Sequence, residues 1–232
     1  MNKFFTKLWP IYLSIICIAI LVISLGDRVV YVIADAMPVP VEHVIVIDAG
    51  HGGEDGGATS CTGKLESELN LEIALRLDSL CHLLGMHTTM IRTTDVSVYT
   101  EGSTLAAKKA SDLRNRVRIV NAIPDAILIS IHQNTFSDNR YSGAQVFFAD
   151  TPGSKELAAK MQKGFASVDT LSRRKEKQAS GVYLMQNIEK TGVLVECGFL
   201  SNQAEEAKLR NTDYQKKLCS IIASVINEHI NA

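Results

Sequence analysis

The sequence has little of what would mark a nucleic-acid-binding protein or a cysteine-stabilised one. Its 24 lysine and arginine residues are balanced by 25 aspartate and glutamate residues, so no excess positive charge is available to attract phosphates. Aromatic residues make up only 6% of the chain, and they do not alternate with basic residues as on surfaces that stack single-stranded bases. The five cysteines form no C-x-x-C pair. We therefore expect no nucleic-acid partner, no disulfide framework and no cysteine-based zinc site.

A glycine-rich stretch, "VIDAGHGGEDGG" at residues 46–57, lacks the residues of a nucleotide-binding loop. Counting from Gly50, Asp55 stands where a dinucleotide-binding fingerprint has its third glycine. The lysine and hydroxyl residue that end a P-loop are missing as well. His51 is therefore the candidate functional residue of the stretch. The glycines around it indicate backbone conformations and close approaches that a side chain would forbid.

The first 36 residues are typical of a membrane-targeting segment. Lys3 and Lys7 precede an apolar stretch from Leu8 to Leu25, which as a helix reaches about 27 Å, close to a hydrocarbon core of roughly 30 Å. We predict a transmembrane or signal-anchor helix within 1–36. A cleaved signal peptide is the alternative, because Ala34-Asp35-Ala36 resembles a cleavage site.

The rest of the chain is predicted to be one extracytoplasmic domain. Two prolines indicate a linker at 37–42, and residues 43–232 are enough for a single full core. With lysines before the apolar helix, the positive-inside rule places this domain outside the cytoplasm. No internal repeat is visible, and we expect no second domain after the last helix.

Within 43–232, short apolar runs alternate with amphipathic segments, which predicts an α/β fold with a largely parallel sheet. The predicted strands are Val44–Ile47, Thr88–Ile91, Ala126–Ile131, Ala144–Phe148, Val182–Met185 and Val193–Val195. The predicted helices are Glu66–Leu84, Ser111–Asn121, Ser154–Ser167, Gln203–Leu209 and Asp213–His229.

Unusual polar residues stand at the ends of these strands. His51 follows the first strand, while His132 and Glu196 end two others. Carboxyl ends of parallel strands share one edge, so these residues can converge, and Glu66 at the start of a helix reaches the same edge. A catalytic zinc takes three protein ligands and leaves a position for water, so His51, Glu66 and His132 could bind zinc and Glu196 could act as base. A satisfied structural role for each histidine remains the alternative.

The motifs that carry these residues resemble a known family when taken together. "IDAGHGGEDGGA", "LESELNL", "IRTTD", "LRNRVRIVN", "ISIHQN" and "VLVECGFLSN" occur in the order seen in zinc-dependent N-acetylmuramoyl-L-alanine amidases of the amidase-3 family. The resemblance runs from about Val44 to the end. It implies a three-layer α/β/α domain around a twisted, mostly parallel sheet of about six strands.

The resemblance also implies roles for single residues. His51, Glu66 and His132 fall on the family's zinc ligands, for one zinc ion per chain, and Glu196 falls on its catalytic glutamate. Relatives usually show Glu-Lys-Asp or Glu-Lys-Asn where this chain has Glu66-Ser67-Glu68, and the first glutamate matches by position. The implied reaction is hydrolysis of the amide between N-acetylmuramic acid and L-alanine in peptidoglycan.

The segment 95–110, the lone amino-terminal anchor and the missing wall-binding repeats look like the spore-cortex, germination-associated subgroup. Its members prepare muramic acid for muramic lactam formation. We expect Asp48 and Asn134 to orient the ligands or the substrate. Arg116 matches a family position, and either a salt bridge within the fold or contact with a peptide carboxylate fits it. The segment 95–110 is the candidate docking surface for an activating protein partner.

Three further interpretations stay open at this level. The basic run "RRKEK" at 173–177 is either a solvated loop or a wall of an anionic substrate groove. The whole domain could be a catalytically silent wall-binding protein that kept the fold. It could also be a zinc peptidase that cuts within the stem peptide, since the chemistry would be the same.

Overall fold

The computed structural model describes residues 43–168 and 173–231. The predicted targeting segment at 1–36 and the linker at 37–42 lie outside these residues. Within the described part of the chain, no helix is both long and apolar enough to cross a membrane.

A six-stranded sheet forms the middle of the domain, in the order β2-β1-β3-β6-β4-β5. Neighbouring strands run parallel except β4, which is antiparallel to β6. The strands are β1 (Val44–Ala49), β2 (His87–Met90), β3 (Ala126–Asn134), β4 (Gln145–Phe148), β5 (Lys177–Gln178) and β6 (Thr191–Phe199). The predicted α/β class and the mostly parallel sheet are confirmed.

Helices cover both faces of this sheet, which gives three layers. The described helices are α1 (Glu66–Leu83), α2 (Leu105–Ala122), α3 (Ser154–Val168), α4 (Tyr183–Asn187), α5 (Gln203–Leu209) and α6 (Thr212–Ile230). Alternate residues of each central strand point to opposite faces. Val46, Leu128 and Leu194 pack with α2 and α4, whereas their neighbours such as Ile45 and Ile129 pack with α1, α3, α5 and α6. Burial on both faces explains why the central strands are continuous apolar runs.

Helix α1 follows its sequence pattern closely. Leu69, Ile73 and Leu77 recur every four residues and are fully buried against the sheet. The helix ends at Leu83, and Gly85 follows with a φ of +78°, a conformation that favours glycine. Glu66 is the first residue of α1 and lies at the edge of the sheet where β1 and β3 end.

Two predicted elements differ from the structure. The predicted strand at Val182–Met185 is wrong, because this segment belongs largely to the short helix α4. A run of four apolar residues does not distinguish a buried strand from one buried helical turn. The helix predicted to begin at Ser111 begins at Leu105, capped by the side chain of Thr104. The Ser111 hydroxyl instead accepts from the backbone N–H groups of Thr100 and Glu101.

Candidate metal centre

His51, Glu66 and His132 converge at the carboxyl edge of the sheet. One donor atom from each side chain lies within 4.8 Å of the others. Glu66 Oε2 is 3.3 Å from His51 Nε2, and Glu66 Oε1 is 2.9 Å from His132 Nδ1. The two imidazole rings meet edge to face with their centroids 5.0 Å apart. The predicted convergence is therefore present, and these three side chains could hold a metal ion.

His51 is positioned by an unusual backbone conformation and by a second carboxylate. Its φ is +60°, which is uncommon for a residue with a side chain. Its Nδ1 lies 2.9 Å from Asp55 Oδ2, so Nε2 is the nitrogen that faces Glu66. Asp55 also pairs with Lys109 of α2 at 3.1 Å. Burial lowers the pKa of His51, but Glu66 and Asp55 outweigh that effect and raise it.

Glu66 is a buried carboxylate held ionised by its surroundings. Its Oε2 accepts the backbone N–H of Ala58 at 2.9 Å, and its Oε1 accepts that of Gln133 at 3.2 Å and the side-chain amide of Asn70 at 3.3 Å. Burial acts to raise the pKa of Glu66, but the hydrogen bonds and charges of His132 and His51 hold it well below its usual range. The carboxylate is thus ready to bind a cation without losing a proton first.

Two glycines leave the space that these ligands occupy. A Cβ on Gly50 would lie 2.2 Å from His132 Nε2. A Cβ on Gly57 would lie 2.6 Å from Glu66 Oε2, and Gly57 also has a φ of +68°. The glycine-rich stretch therefore serves close packing of backbone against imidazole and carboxylate, as the sequence indicated.

Glu196 of β6 pairs in register with His132 of β3, and it therefore lies beside this cluster. Burial raises the pKa of Glu196 to about 7, and the charge of Glu66 acts in the same direction, while His132 and His51 oppose it. Its Oε2 is shielded from solvent and has no hydrogen-bond partner among the residues that the structure describes. An unpaired buried carboxylate oxygen is costly, and such groups occur at functional sites.

Asp48 and Arg116 lie below the cluster in a buried ion-pair network. Arg116 binds Asp48 through one terminal nitrogen and Asp112 through Nε at 2.6 Å. The same guanidinium donates to the backbone carbonyls of Ala49 at 3.0 Å and His51 at 2.7 Å. Of the two interpretations of Arg116, the salt bridge within the fold is the observed one. Its hydrogen bond to the His51 carbonyl makes it a positioning residue for that loop.

Asp48 is oriented from two sides. Its carboxylate accepts the Ser130 hydroxyl at 2.6 Å as well as the Arg116 guanidinium. Burial acts to raise the pKa of Asp48, but Arg116, Ser130 and His132 together lower it. Asp48 therefore supports the carboxyl end of β1, from which the loop to His51 leaves.

The sequence interpretation missed Arg92, Asn70 and Asp55. The Arg92 guanidinium donates to the carbonyls of Ala49 at 2.8 Å, of Gly50 at 3.0 Å and of Ser67 at 2.8 Å, which ties β1 to α1. Asn70 donates to the Gly50 carbonyl at 3.1 Å. A basic residue directly after an apolar strand, inside the "IRTTD" motif, was the signal available for Arg92.

The structure also shows the surroundings of Asn134 and Cys61. The backbone carbonyl of Asn134 accepts from Leu200 N–H at 2.8 Å, and its predicted orienting role stays a prediction. Cys61, one of the five cysteines, is exposed and lies outside the candidate metal group of His51, Glu66 and His132.

The segment 95–110 packs onto the loop that carries His51. Asp95 accepts from Gly53 N–H at 2.9 Å, and Lys108 pairs with Glu54 at 2.5 Å. Its last residues form the first turns of α2. Residues 101–107 lie in its longest exposed stretch, which a partner could reach.

A mostly parallel sheet that carries convergent imidazole and carboxylate donors beside a buried glutamate defines a candidate metallohydrolase. Residues 45–228 match a family model described as N-acetylmuramoyl-L-alanine amidase, so the chain belongs to this family of hydrolases.

Named relatives are consistent with that assignment. The chain is 39% identical over 182 residues to the germination-specific N-acetylmuramoyl-L-alanine amidase of Bacillus subtilis, covering 77% of this chain and 76% of that one. Among solved structures, it resembles the CwlD amidase from Clostridioides difficile in complex with the GerS lipoprotein, with 35% identity and a TM-score of 0.77 over 81% of this chain and 98% of that one. The catalytic domain of CwlV from Bacillus (Paenibacillus) polymyxa matches with 28% identity and a TM-score of 0.69 over 82% of this chain and 98% of that one.

We predict that Arg116→Met lowers the free energy of unfolding by about 3–5 kcal/mol, because Asp48 and Asp112 would keep buried charge without its partner. The matched control is Arg114→Met, which removes an exposed arginine of α2 whose ion pair with Glu101 lies at the surface. Urea unfolding of both variants measures the difference. Equal midpoints for the two variants would contradict the structural role of Arg116.

Proposed function

We propose that this chain hydrolyses the amide bond between the lactyl group of N-acetylmuramic acid and L-alanine, with one zinc ion held by His51, Glu66 and His132. The observation that carries the proposal is the convergence of these donors within 4.8 Å beside Glu196. Two imidazoles and one carboxylate are a donor set of catalytic zinc sites, which keep one position open. The substrate class rests on membership of the amidase family.

Held by His51, Glu66 and His132, zinc would polarise the scissile carbonyl as a Lewis acid and would lower the pKa of a water to about 7. Glu196 takes the proton from that water as the oxygen attacks the amide carbon. As the C–N bond breaks, Glu196 returns the proton to the alanine nitrogen, which leaves as a free amine. Burial raises the pKa of Glu196, which makes this carboxylate a stronger proton acceptor than an exposed one.

The other polar residues act by holding geometry. Asp55 fixes the ring of His51 so that Nε2 stays free to bind, in the manner of a carboxylate–histidine–zinc arrangement. The backbone N–H groups of Ala58 and Gln133 orient the Glu66 carboxylate. Arg116 and Asp48 support the strand end from below.

The proposed setting is the outside of the cell, in spore-cortex maturation and germination. The similarity to a germination-specific amidase supports this role. In the proposal, residues 1–36 hold the domain at the outer face of the membrane, with cleavage of a signal peptide as the alternative. The full chain should sediment with membranes, and a chain lacking 1–36 should not. Recovery of the full-length chain in the soluble fraction would contradict anchoring.

A protein partner is part of the same proposal. Its support is the similarity to an amidase whose structure was solved in complex with a lipoprotein. The exposed residues 101–107 are the proposed docking surface. If replacing them with glycine and serine left activity and all co-purifying proteins unchanged, this surface would be the wrong one.

Asp55→Asn should weaken zinc affinity about 10- to 100-fold, because the neutral amide no longer orients and polarises His51. Competition for zinc with a chromogenic chelator gives the affinity directly. Glu54→Gln is the matched control, because Glu54 is the adjacent acidic residue and pairs with Lys108 at the surface. Equal zinc affinities for the two variants would remove Asp55 from the metal centre.

The decisive experiment gives purified peptidoglycan to the zinc-loaded protein and identifies released products by mass spectrometry. We expect free stem peptides that begin at L-alanine, and a loss of release of at least about 1000-fold in Glu196→Gln. Chelation of zinc should abolish release, and added zinc should restore it.

The other outcomes separate the alternatives. Peptides cut after L-alanine would favour a zinc peptidase that acts within the stem. Retained binding to peptidoglycan without any release would favour a catalytically silent wall-binding protein.

A further inference from the structure

A cavity outside the candidate metal centre is lined by basic side chains. Its volume is about 840 Å³. Arg140, Arg173, Arg174 and Lys208 line it, together with the aromatic ring of Tyr141. Arg173 and Arg174 belong to the basic run "RRKEK", so this run borders a groove.

The acidic residues of this groove do not cancel its positive charge. Asp138 pairs with Arg140 at 2.7 Å. Glu205 is 4% exposed, accepts the backbone N–H of Gly143 at 2.7 Å and lies 3.8 Å from Lys208. Among the lining residues that the structure describes, two carboxylates therefore face four basic side chains, an excess of positive charge that suits an anion.

Arg174 is held by aromatic rings and by backbone and side-chain hydrogen bonds. Its guanidinium lies over the ring of Phe199, 4.8 Å from the centroid, and 5.8 Å from that of Tyr141. Its Nε donates to the carbonyl of Ser142 at 2.9 Å. Stacking between aromatic rings keeps the planar group in one orientation, which suits recognition of a carboxylate.

Gln145 lies between the groove and Glu196. Gln145 of β4 pairs in register with Glu196 of β6, so their Cα atoms are about 4.5–5.5 Å apart. The amide oxygen of Gln145 in turn accepts from Arg174 at 3.4 Å. Phe199, under Arg174, follows Glu196 by three residues, or about 10 Å along the strand. The groove thus begins one strand away from the site of the proposed reaction.

We propose that this basic groove binds the free carboxylate of the second stem-peptide residue while the scissile amide lies at the metal centre. The inference rests on the proposed function. L-Alanine follows the scissile bond, and a γ-linked D-glutamate after it leaves its α-carboxylate free. Two extended residues span about 7 Å, enough to reach past one neighbouring strand, and Arg174 contacts Gln145 on the strand next to Glu196. Arg174 donates to the carboxylate, and Arg173 and Lys208 add long-range attraction.

The test compares two disaccharide-peptide substrates that differ only at the second residue, D-glutamate against D-isoglutamine. Wild-type protein should prefer the acid by about tenfold in kcat/KM, which is typical for one hydrogen bond to a charged group. Arg174→Gln should reduce this preference towards unity, mostly through KM. The matched control Arg118→Gln, which changes an exposed arginine of α2, should keep the full preference.

Two further measurements keep the inference open to refutation. Should Arg174→Gln fail to fold, Arg173→Gln and Lys208→Gln replace it, because both side chains are exposed and each should lower the preference two- to threefold. Calorimetry with zinc-loaded Glu196→Gln and the peptides L-Ala-D-Glu and L-Ala-D-isoGln measures binding without turnover.

The outcomes separate the inference from the proposed function. Turnover with no preference for the acid, or an equal preference in wild type and Arg174→Gln, would overturn the groove assignment. A binding preference for L-Ala-D-Glu without turnover by the wild-type protein would uphold the groove and remove the amidase activity instead.

Discussion

The site depends on how the protein satisfies three backbone carbonyls where β1 leaves the sheet. β1 ends at Ala49, and the chain turns away so that His51 faces Glu66, so the carbonyl oxygens of residues 49–51 need other donors. Arg92 and Arg116 provide them, with two bonds to Ala49 and one each to Gly50 and His51. These fixed guanidinium groups hold His51 at a φ of +60°, a conformation that an unsupported loop would leave. The cost is a buried positive charge, and Asp48 and Asp112 neutralise it at Arg116.

Two nearby glutamates, Glu66 and Glu196, have pKa values that are shifted in opposite directions because their surroundings differ. Glu66 accepts two backbone N–H groups and faces both imidazoles, so its pKa is depressed despite burial. Glu196 has one oxygen with no partner in the described residues, and burial raises its pKa to about 7. A carboxylate that stays ionised suits a metal ligand, whereas one that titrates near neutrality suits proton transfer. The difference in pKa between the two glutamates follows from the hydrogen bonds that each carboxylate accepts.

The convergence of His51 and His132 could be predicted from the sequence because it depends only on where parallel strands end. His51 and His132 follow or end parallel strands, so topology alone brings them to one edge. The parts that escaped prediction depend on tertiary partners. The sequence does not show that Arg92 donates to the backbone carbonyls of Ala49 and Gly50, because these contacts arise only in the tertiary structure. The apolar run at Val182–Met185 has no periodicity long enough to separate helix from strand. The roles of His51, Glu66 and His132 as zinc ligands remain predictions that the geometry favours.

The reversal of a single strand, β4, separates the candidate metal centre from the basic groove. β1, β3 and β6 are parallel and bring donors to one edge, whereas β4 runs antiparallel and begins at that edge with Gln145. The chain that leads into β4 and the chain that leads into β5 therefore meet beside Glu196, and they carry Tyr141 and Arg174 there. These connecting segments are free to vary without disturbing the central strands, since they contribute no ligand to the cluster. Arg140, Arg173 and Arg174 lie in these segments, so under the proposals above a change there would alter the charge offered to the stem peptide and leave His51, Glu66 and His132 in place.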